Sequence, residues 1–182
     1  DYQLVGNADA GDQNVMIVAV KTENVVALTD CVQAAGLEPE IVDVASLALY
    51  NCAAYNYPGQ DGCTMVLDIG ARSTNLVFIE EGRIFSRSIP VAGNTITQEI
   101  AKSFQVDFRT AERMKREHSF VALGGVYAGA GDETADRVSK VIRNVVTRLH
   151  AEVNRSVNFY RSQQSGSVPA RVLLTGGSSI IP

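Results

Sequence analysis

Two glycine-centred turns carry the residues of this chain whose types and spacing could do chemistry. The first runs from Asp68 to Asn75 and bends at Gly70; the second runs from Thr175 to Ser179 through Gly176 and Gly177. Each follows a strand-like run, Met65 to Leu67 in one case and Arg171 to Leu174 in the other. They look like two walls of one nucleotide pocket. A carboxylate at the end of a buried strand costs free energy unless it is paired, solvated or bound to a cation, so Asp68 needs a partner. Mg²⁺ holding several waters is one candidate, because that ion usually takes one or two carboxylates together with substrate phosphates. Gly70 lets the backbone approach an anion closely, and the loop amides, with the Ser73 and Thr74 hydroxyls, could then donate to phosphate oxygens. The plainer alternative has Asp68 capping a hairpin turn and Gly70 supplying a positive φ. At the second turn, a helix opening at Gly176, Gly177 and Ser178 would aim free N–H groups at whatever sits above. Close packing of a strand-to-helix turn is the alternative there.

The elements that must position these turns are legible in outline. The run Met65 to Leu67, the turn at Gly70, the run Leu76 to Ile79 and a second turn at Glu81 and Gly82 signal a hairpin, and Arg83 to Ile89 alternates as a third strand ended by Pro90. Asn94 or Thr95 can cap a helix through Ser103, and Asp107 can cap the next, from Phe108 to about Glu117. From Glu133 to Gln163, Val138, Val141, Ile142, Val145, Val146, Leu149, Val153, Val157 and Tyr160 fall on one stripe. That spacing predicts a single amphipathic helix, roughly 45 Å long at the usual rise per residue. Arg137, Lys140, Arg143 and Arg148 lie on its other face, where solvated charge is the plainer reading.

Before the hairpin, Asp1 to Asn14 is polar and Val15 to Val20 predicts a buried strand. Thr22 can cap a helix carrying Val25, Val26, Leu28, Val32 and Ala35, which Gly36 closes and Pro39 prevents from continuing. Glu40 to Val44 predicts a second strand, making a β-α-β unit, and Ser46 to Tyr55 a further helix. Asn56 to Gly62 is dense in turn residues and marks the best boundary. The glycine-rich stretch Gly124 to Gly131 invites a dinucleotide-fingerprint reading, but no clear strand precedes it and the spacing is wrong.

Composition excludes several classes. With 182 residues, 46% hydrophobic and 20% charged, the chain can bury a core. A net charge of −4 carries no basic stripe, and the aromatic residues form no stacking platform flanked by Arg and Lys, so nucleic acid is not an expected partner. Cys31, Cys52 and Cys63 lack metal-ligand spacing and are odd in number, which favours free thiols in a reducing, cytoplasmic compartment. No apolar run approaches the about 20 residues of a membrane span. The start at Asp1 and the stop at Pro182, just after the second turn, read as a piece of a longer protein.

The order of elements, strand and turn at Asp68, two further strands, a helical insertion, a long helix, then a strand and the turn at Gly176, resembles the actin-like ATPase superfamily. It is most similar to the branch of pilus-assembly and cell-division proteins typified by PilM and FtsA. Asp68 to Asn75 resembles that family's second phosphate motif, and Leu173 to Ser179 its adenosine motif. Ser88 to Ile100 looks like the connecting segment between them. Phe108 to Glu117 resembles the insertion helix whose Glu and Lys approach the nucleoside, which here are Glu112 and Lys115, spaced to share one helix face; an exposed ion pair of little energetic weight is the alternative.

The resemblance implies an α/β, partial actin-like (ribonuclease H-like) fold with a small β-α-β accessory subdomain. The accessory part with its following helix would span 1–57, the nucleotide-binding part 62–98 and 134–182, and the helical insertion 99–133. It further implies ATP and Mg²⁺ as cofactors, with Asp68 holding Mg²⁺ through water. Gly70, Ala71, Arg72, Ser73, Thr74, Glu112, Lys115, Gly176, Gly177 and Ser178 would be the nucleotide contacts. The family's first phosphate hairpin would precede Asp1. Arg72 stands where smaller residues are commoner, and could clamp phosphate or obstruct it. No general base is assignable, so at most a slow ATPase is implied for the full-length protein, and none for this fragment. The implied role is a cytoplasmic scaffold of a type IV pilus, docking the tail of a PilN-like inner-membrane protein and self-associating. An FtsA-like division protein, a kinase relative and an interaction module without nucleotide are the alternatives.

Overall fold

The computed structural model describes residues 2–5, 14–59, 61–121 and 133–181. A four-stranded sheet forms its centre, in the order β5 (Arg83–Ile89), β4 (Thr74–Glu80), β3 (Cys63–Ile69), β6 (Pro169–Thr175). β3, β4 and β5 are antiparallel neighbours, and β6 joins β3 in parallel. A parallel pair requires a long crossover. Here it contains α3 (Gly93–Phe104), α4 (Phe108–His118) and α5 (Glu133–Gln163).

Side chains alternate across the strands and fill two separate cores. Met65, Leu76, Phe78 and Ile89 face α3, α4 and α5, where Ile96, Ile100, Ala111, Val138, Ile142, Val145 and Leu149 are also buried. Val66 and Val77 face the other way, onto Ala53, Leu49 and Tyr50 of α2 (Ala45–Asn56). Of the α5 stripe expected from its spacing, Val138, Ile142, Val145, Leu149 and Tyr160 are buried, whereas Val146 at its edge is exposed. Arg137, Lys140, Arg143 and Arg148 are exposed, although the Arg137 guanidinium also stacks 4.2 Å above the Phe104 ring and donates to Ser103 O. Asp107 caps α4 by accepting from Thr110 N at 3.1 Å. At α3, Thr95 Oγ1 accepts from Ala92 N, the return half of a capping box, whereas Asn94 donates its amide to Ala71 O.

The helix expected over Ser46 to Tyr55 forms as α2, but the strands expected before it depart from expectation. A strand forms at β2 (Asn14–Ile17), but it stops at Ile17, pairs with β1 (Tyr2–Val5) and is not buried: Ile17 is 76% exposed. β1 itself lies in the stretch read as merely polar. Glu40 to Val44 forms no strand, because no described strand offers it a ladder, and Ile41 is 83% exposed. The expected β-α-β unit is therefore a β-hairpin followed by α1 (Thr22–Ala34), and α1 has no buried residue. Thr22 falls inside the helix, with Lys21 at the N-cap and no side-chain cap bond. Gly36 does end it, at φ +80°. The Gly124–Gly131 stretch lies outside the described residues. No described helix is long and apolar enough to cross a membrane.

A buried carboxylate ties the far end of the sheet together. Glu80, 5% exposed at the end of β4, accepts from Tyr160 Oη of α5 at 2.8 Å and from Ser167 N at 3.0 Å, in the loop leading to β6. The Tyr160 ring stacks on Phe78 at 4.5 Å, and a side chain at Gly166 would collide with it. Burial alone would raise the Glu80 carboxyl, but hydrogen bonds from Ser167 and Tyr160 and the Arg83 charge hold it below its ordinary value of 4.5. The Cys63 thiol nearby is pushed up to about 11 by burial and by Glu80, so it stays neutral. A depressed carboxyl stabilises the fold above its unfolded value and loses that contribution as pH falls through the lower folded value. Tyr160→Phe should therefore cost about 1–3 kcal/mol at neutral pH in urea melts. The deficit relative to wild type should shrink below about pH 4.5, as Glu80 protonates in both proteins.

Candidate functional site

The two turns meet at the carboxyl ends of β3 and β6. Their parallel register sets Asp68 opposite Thr175, and the antiparallel register of the hairpin sets it opposite Asn75. Asn75 Nδ2 donates to Asp68 Oδ2 at 3.1 Å. Asp68 Oδ1 faces Gly176 and has no hydrogen-bond partner among the described residues. Gly176, at φ +93°, is required there: a Cβ would stand 2.5 Å from Ile69 O and 2.7 Å from Asp68 Oδ1.

Beyond the strands the backbone is stitched in three directions. Gly70 N donates to Ser73 O at 3.1 Å, closing the first turn. Gly70 O accepts both from Gly93 N at 3.0 Å and from Ser178 Oγ at 3.1 Å, while Ser178 N donates to Ile69 O at 3.0 Å. Asn94 N reaches Ala71 O at 2.7 Å. The start of α3, the first turn and the second turn are thus one hydrogen-bonded unit. After Gly176 the described chain makes turns rather than the expected helix, closed by Ser179 N and Oγ donating to Gly176 O.

Several candidates are thereby separated by what they have left to offer. Thr74 is fully buried and its hydroxyl donates to Val91 O at 2.7 Å, so it anchors the turn to the segment before α3. Ser178 and the Gly70 amide are likewise engaged within the protein. The amides of Ala71, Arg72 and Ser73 donate to no acceptor among the described residues, and a Cβ on Gly177 would meet open space. Arg72 is exposed and makes no ion pair among the described residues.

Glu112 and Lys115 do share a face of α4, but they are not the exposed pair that spacing alone allows. Lys115, 11% exposed, donates to Glu112 Oε2 at 2.6 Å, to Thr97 Oγ1 at 2.9 Å and to Gly93 O at 3.3 Å. The Thr97 hydroxyl lies 2.5 Å from the same Glu112 oxygen, and Arg116 Nε holds the other at 3.2 Å. Burial would raise the Glu112 carboxyl, but the Lys115 and Thr97 bonds and the Lys115 charge hold it below its ordinary value. Thr97, fully buried, was not singled out by sequence. Its signal is weak: a threonine between Ile96 and Ile100, far along the chain from its partners.

The donor set fits a phosphate-bearing ligand with a hard cation. One carboxylate oxygen and three turn amides are unengaged, and no described group of three or more His, Cys, Asp or Glu could hold a metal by itself. A cation here would keep most of its waters or share phosphate oxygens, as Mg²⁺ does. A groove of about 530 Å³ lies elsewhere, between Val15–Ala19 and Arg83–Ser86 of β5.

Comparison with known proteins gives this geometry its context. The chain is similar to a solved PilM-PilN type IV pilus biogenesis complex, at 30% identity and a TM-score of 0.75, over 98% of this chain and 49% of that one. It shares its fold with MreB5 of Spiroplasma citri bound to AMPPNP, at 18% identity and a TM-score of 0.60, over 89% of this chain and 55% of that one. The cell division protein FtsA of Agrobacterium fabrum is 29% identical over 177 residues, 90% of this chain and 40% of that protein. The chain thus spans about half the length of these relatives or less. A family model described as type IV pilus assembly protein PilM matches residues 1–182. The fold and the whole-length match agree: this chain belongs to the family of the type IV pilus assembly protein PilM, within the actin-like ATPase superfamily.

Proposed function

We propose that the full-length protein is an ATP-binding cytoplasmic scaffold for type IV pilus assembly, held at the inner membrane by docking the cytoplasmic tail of a PilN-like protein. The observation that carries the nucleotide half is the set of unengaged donors at the first turn, beside the free Asp68 oxygen. In this reading Ala71, Arg72 and Ser73 hold phosphate oxygens, Asp68 orients Mg²⁺ through water, and the Gly176–Gly177 turn gives the nucleoside close access to the backbone. Asn75 fixes Asp68 rather than touching the ligand. The likeness to a PilM-PilN complex supports the partner half. Binding would favour one arrangement of the walls over another, and the tail would read that arrangement through its own differential affinity.

Calorimetry of the full-length protein with ATP·Mg²⁺ tests the site. Asp68→Ala should weaken binding about 10–100-fold, the usual loss when a group orienting a metal's outer shell is removed. Equal affinity would remove Asp68 from the site, and no heat with the wild type would leave an interaction module without nucleotide. Gly176→Ala should lower stability by about 1–3 kcal/mol or more, because the residue would be strained at positive φ and would press on Ile69 O. Its thermal shift with ATP should also vanish. A PilN-like N-terminal peptide should be retained by the immobilised full-length protein, and failure to retain it would sink the scaffold role.

A further inference from the structure

A small notch opens at the end of the sheet away from the two turns, where Thr64 at the start of β3 pairs with Ile79 near the end of β4. Its volume is about 260 Å³. Small-molecule sites usually run from about 300 to 1,000 Å³, so this one has the size of a single long side chain. Its shape follows from α2. Tyr50 and Tyr57 stand two helical turns apart, and the α2 residues between them that line the notch are Ala53 and Ala54. Two aromatic walls therefore flank a gap left by small side chains. Ile79 and Leu173, packed on the same apolar cluster as Ala53, give the gap an apolar floor. Tyr57 is 49% exposed, so its ring is open to a ligand.

The charge at this notch has one sign. Glu81 is the single ionisable acid or base that lines it among the described residues, and its side chain is 81% exposed. The Arg83 guanidinium stands 4.0 Å from that carboxylate and 3.8 Å from Glu80, too far for a hydrogen bond to either. α2 also ends here, with no basic residue in its last turn. The carbonyl end of a helix carries partial negative charge, and Pro58 has no N–H to give to Ala54 O. The faces of the two tyrosine rings attract cations as well. An anion would be repelled here, and a wholly apolar ligand would leave the Glu81 carboxylate without a donor. A cation on an apolar stem suits both the walls and the floor. Arginine fits better than lysine, because its planar, weakly hydrated guanidinium stacks on aromatic faces and offers forked donors to a carboxylate.

We propose that this notch docks an arginine side chain presented by a segment of a partner protein. The guanidinium lies between Tyr50 and Tyr57 and donates to Glu81, and its stem rests on Ile79 and Leu173. The partner's main chain crosses the rim at Gly59 and Gly82, where a Cβ would meet no atom within 4 Å. This site is separate from the glycine turns and does not depend on their holding nucleotide.

Fluorine NMR of the full-length protein carrying 3-fluorotyrosine tests the docking, with the two signals assigned through Tyr50→Phe and Tyr57→Phe. The probe is a capped Gly-Gly-Arg-Gly-Gly peptide, set beside counterparts with lysine or with citrulline, which keeps the shape of arginine without its charge. The arginine peptide should move both signals saturably, the lysine peptide should bind several-fold more weakly, and the citrulline peptide should leave both signals in place. Tyr57→Leu keeps an apolar side chain at an exposed position and should weaken binding about five- to tenfold, read at Tyr50. Glu81→Gln, at a position too exposed to matter for folding, should weaken it about two- to fivefold and reduce its dependence on salt. Agmatine, the same head group without a peptide backbone, should bind several-fold more weakly than the arginine peptide, since it leaves the glycine rim uncovered. The proposal is overturned if the arginine peptide moves neither signal, if the citrulline peptide moves them equally, or if binding is unchanged in both Tyr57→Leu and Glu81→Gln. Equal affinity for agmatine overturns the partner segment and leaves a site for a free small cation.

Discussion

Parallel pairing of β3 with β6 is the constraint on which the rest of the structure depends. Without it Asp68 has no Gly176 beside it, Ser178 cannot reach Ile69 and Gly70, and the two turns are separate loops. A parallel neighbour is also the pairing that a chain reaches least locally, since an entire crossover must be formed and packed first. In this chain the crossover is not a passive connection. α5 covers one face of the sheet, α3 starts on the first turn and α4 leans back on α3, so the segment that makes the pairing possible also supplies the third side of the site.

The two ends of the sheet are held by different means. At the site end, backbone groups and small residues dominate, because glycine at positions 93 and 176 lets main chains approach where a Cβ would intrude. At the other end, Glu80, Tyr160 and Ser167 fasten β4, α5 and the loop before β6 through a buried charge that is satisfied by hydrogen bonds. Arg87 adds a further tie between β5 and α5, through Ser156 and Glu152. The opposite end is thus fixed by side chains, and the site end largely by main chain.

Much of this was legible in sequence where periodicity and punctuation coincide. The hairpin about Gly70, the strand after Gly82, the Asp107 cap and the α5 stripe follow from local signals that tertiary packing then reinforces. Val15–Val20 and Glu40–Val44 show the limit: β-branched runs announce extended chain, but not whether a neighbouring strand will cover and pair them. The Glu112–Lys115 spacing placed both on one face, yet only the packing of α4 on α3 revealed Thr97 and Gly93 as their partners. Motif resemblance singled out the two turns, which β3 and β6 set side by side. It could not tell engaged donors, such as the Thr74 hydroxyl, from unengaged ones, such as the Ala71 amide.

The absence of any buried residue in α1 bears on how cooperatively the chain holds together. Leu28, Leu37, Ile41 and Val42 are all more than half exposed, so this region contributes little of the apolar burial that makes unfolding all-or-none. The free energy needed to open it locally should lie far below that of the sheet and α5, which share one interior. A protease acting under native conditions would therefore meet two classes of bond, and the resistant product would begin near α2, which packs on the sheet. Stability measured by a probe in α1 would report that outer region alone, and a single unfolding free energy would not describe the chain.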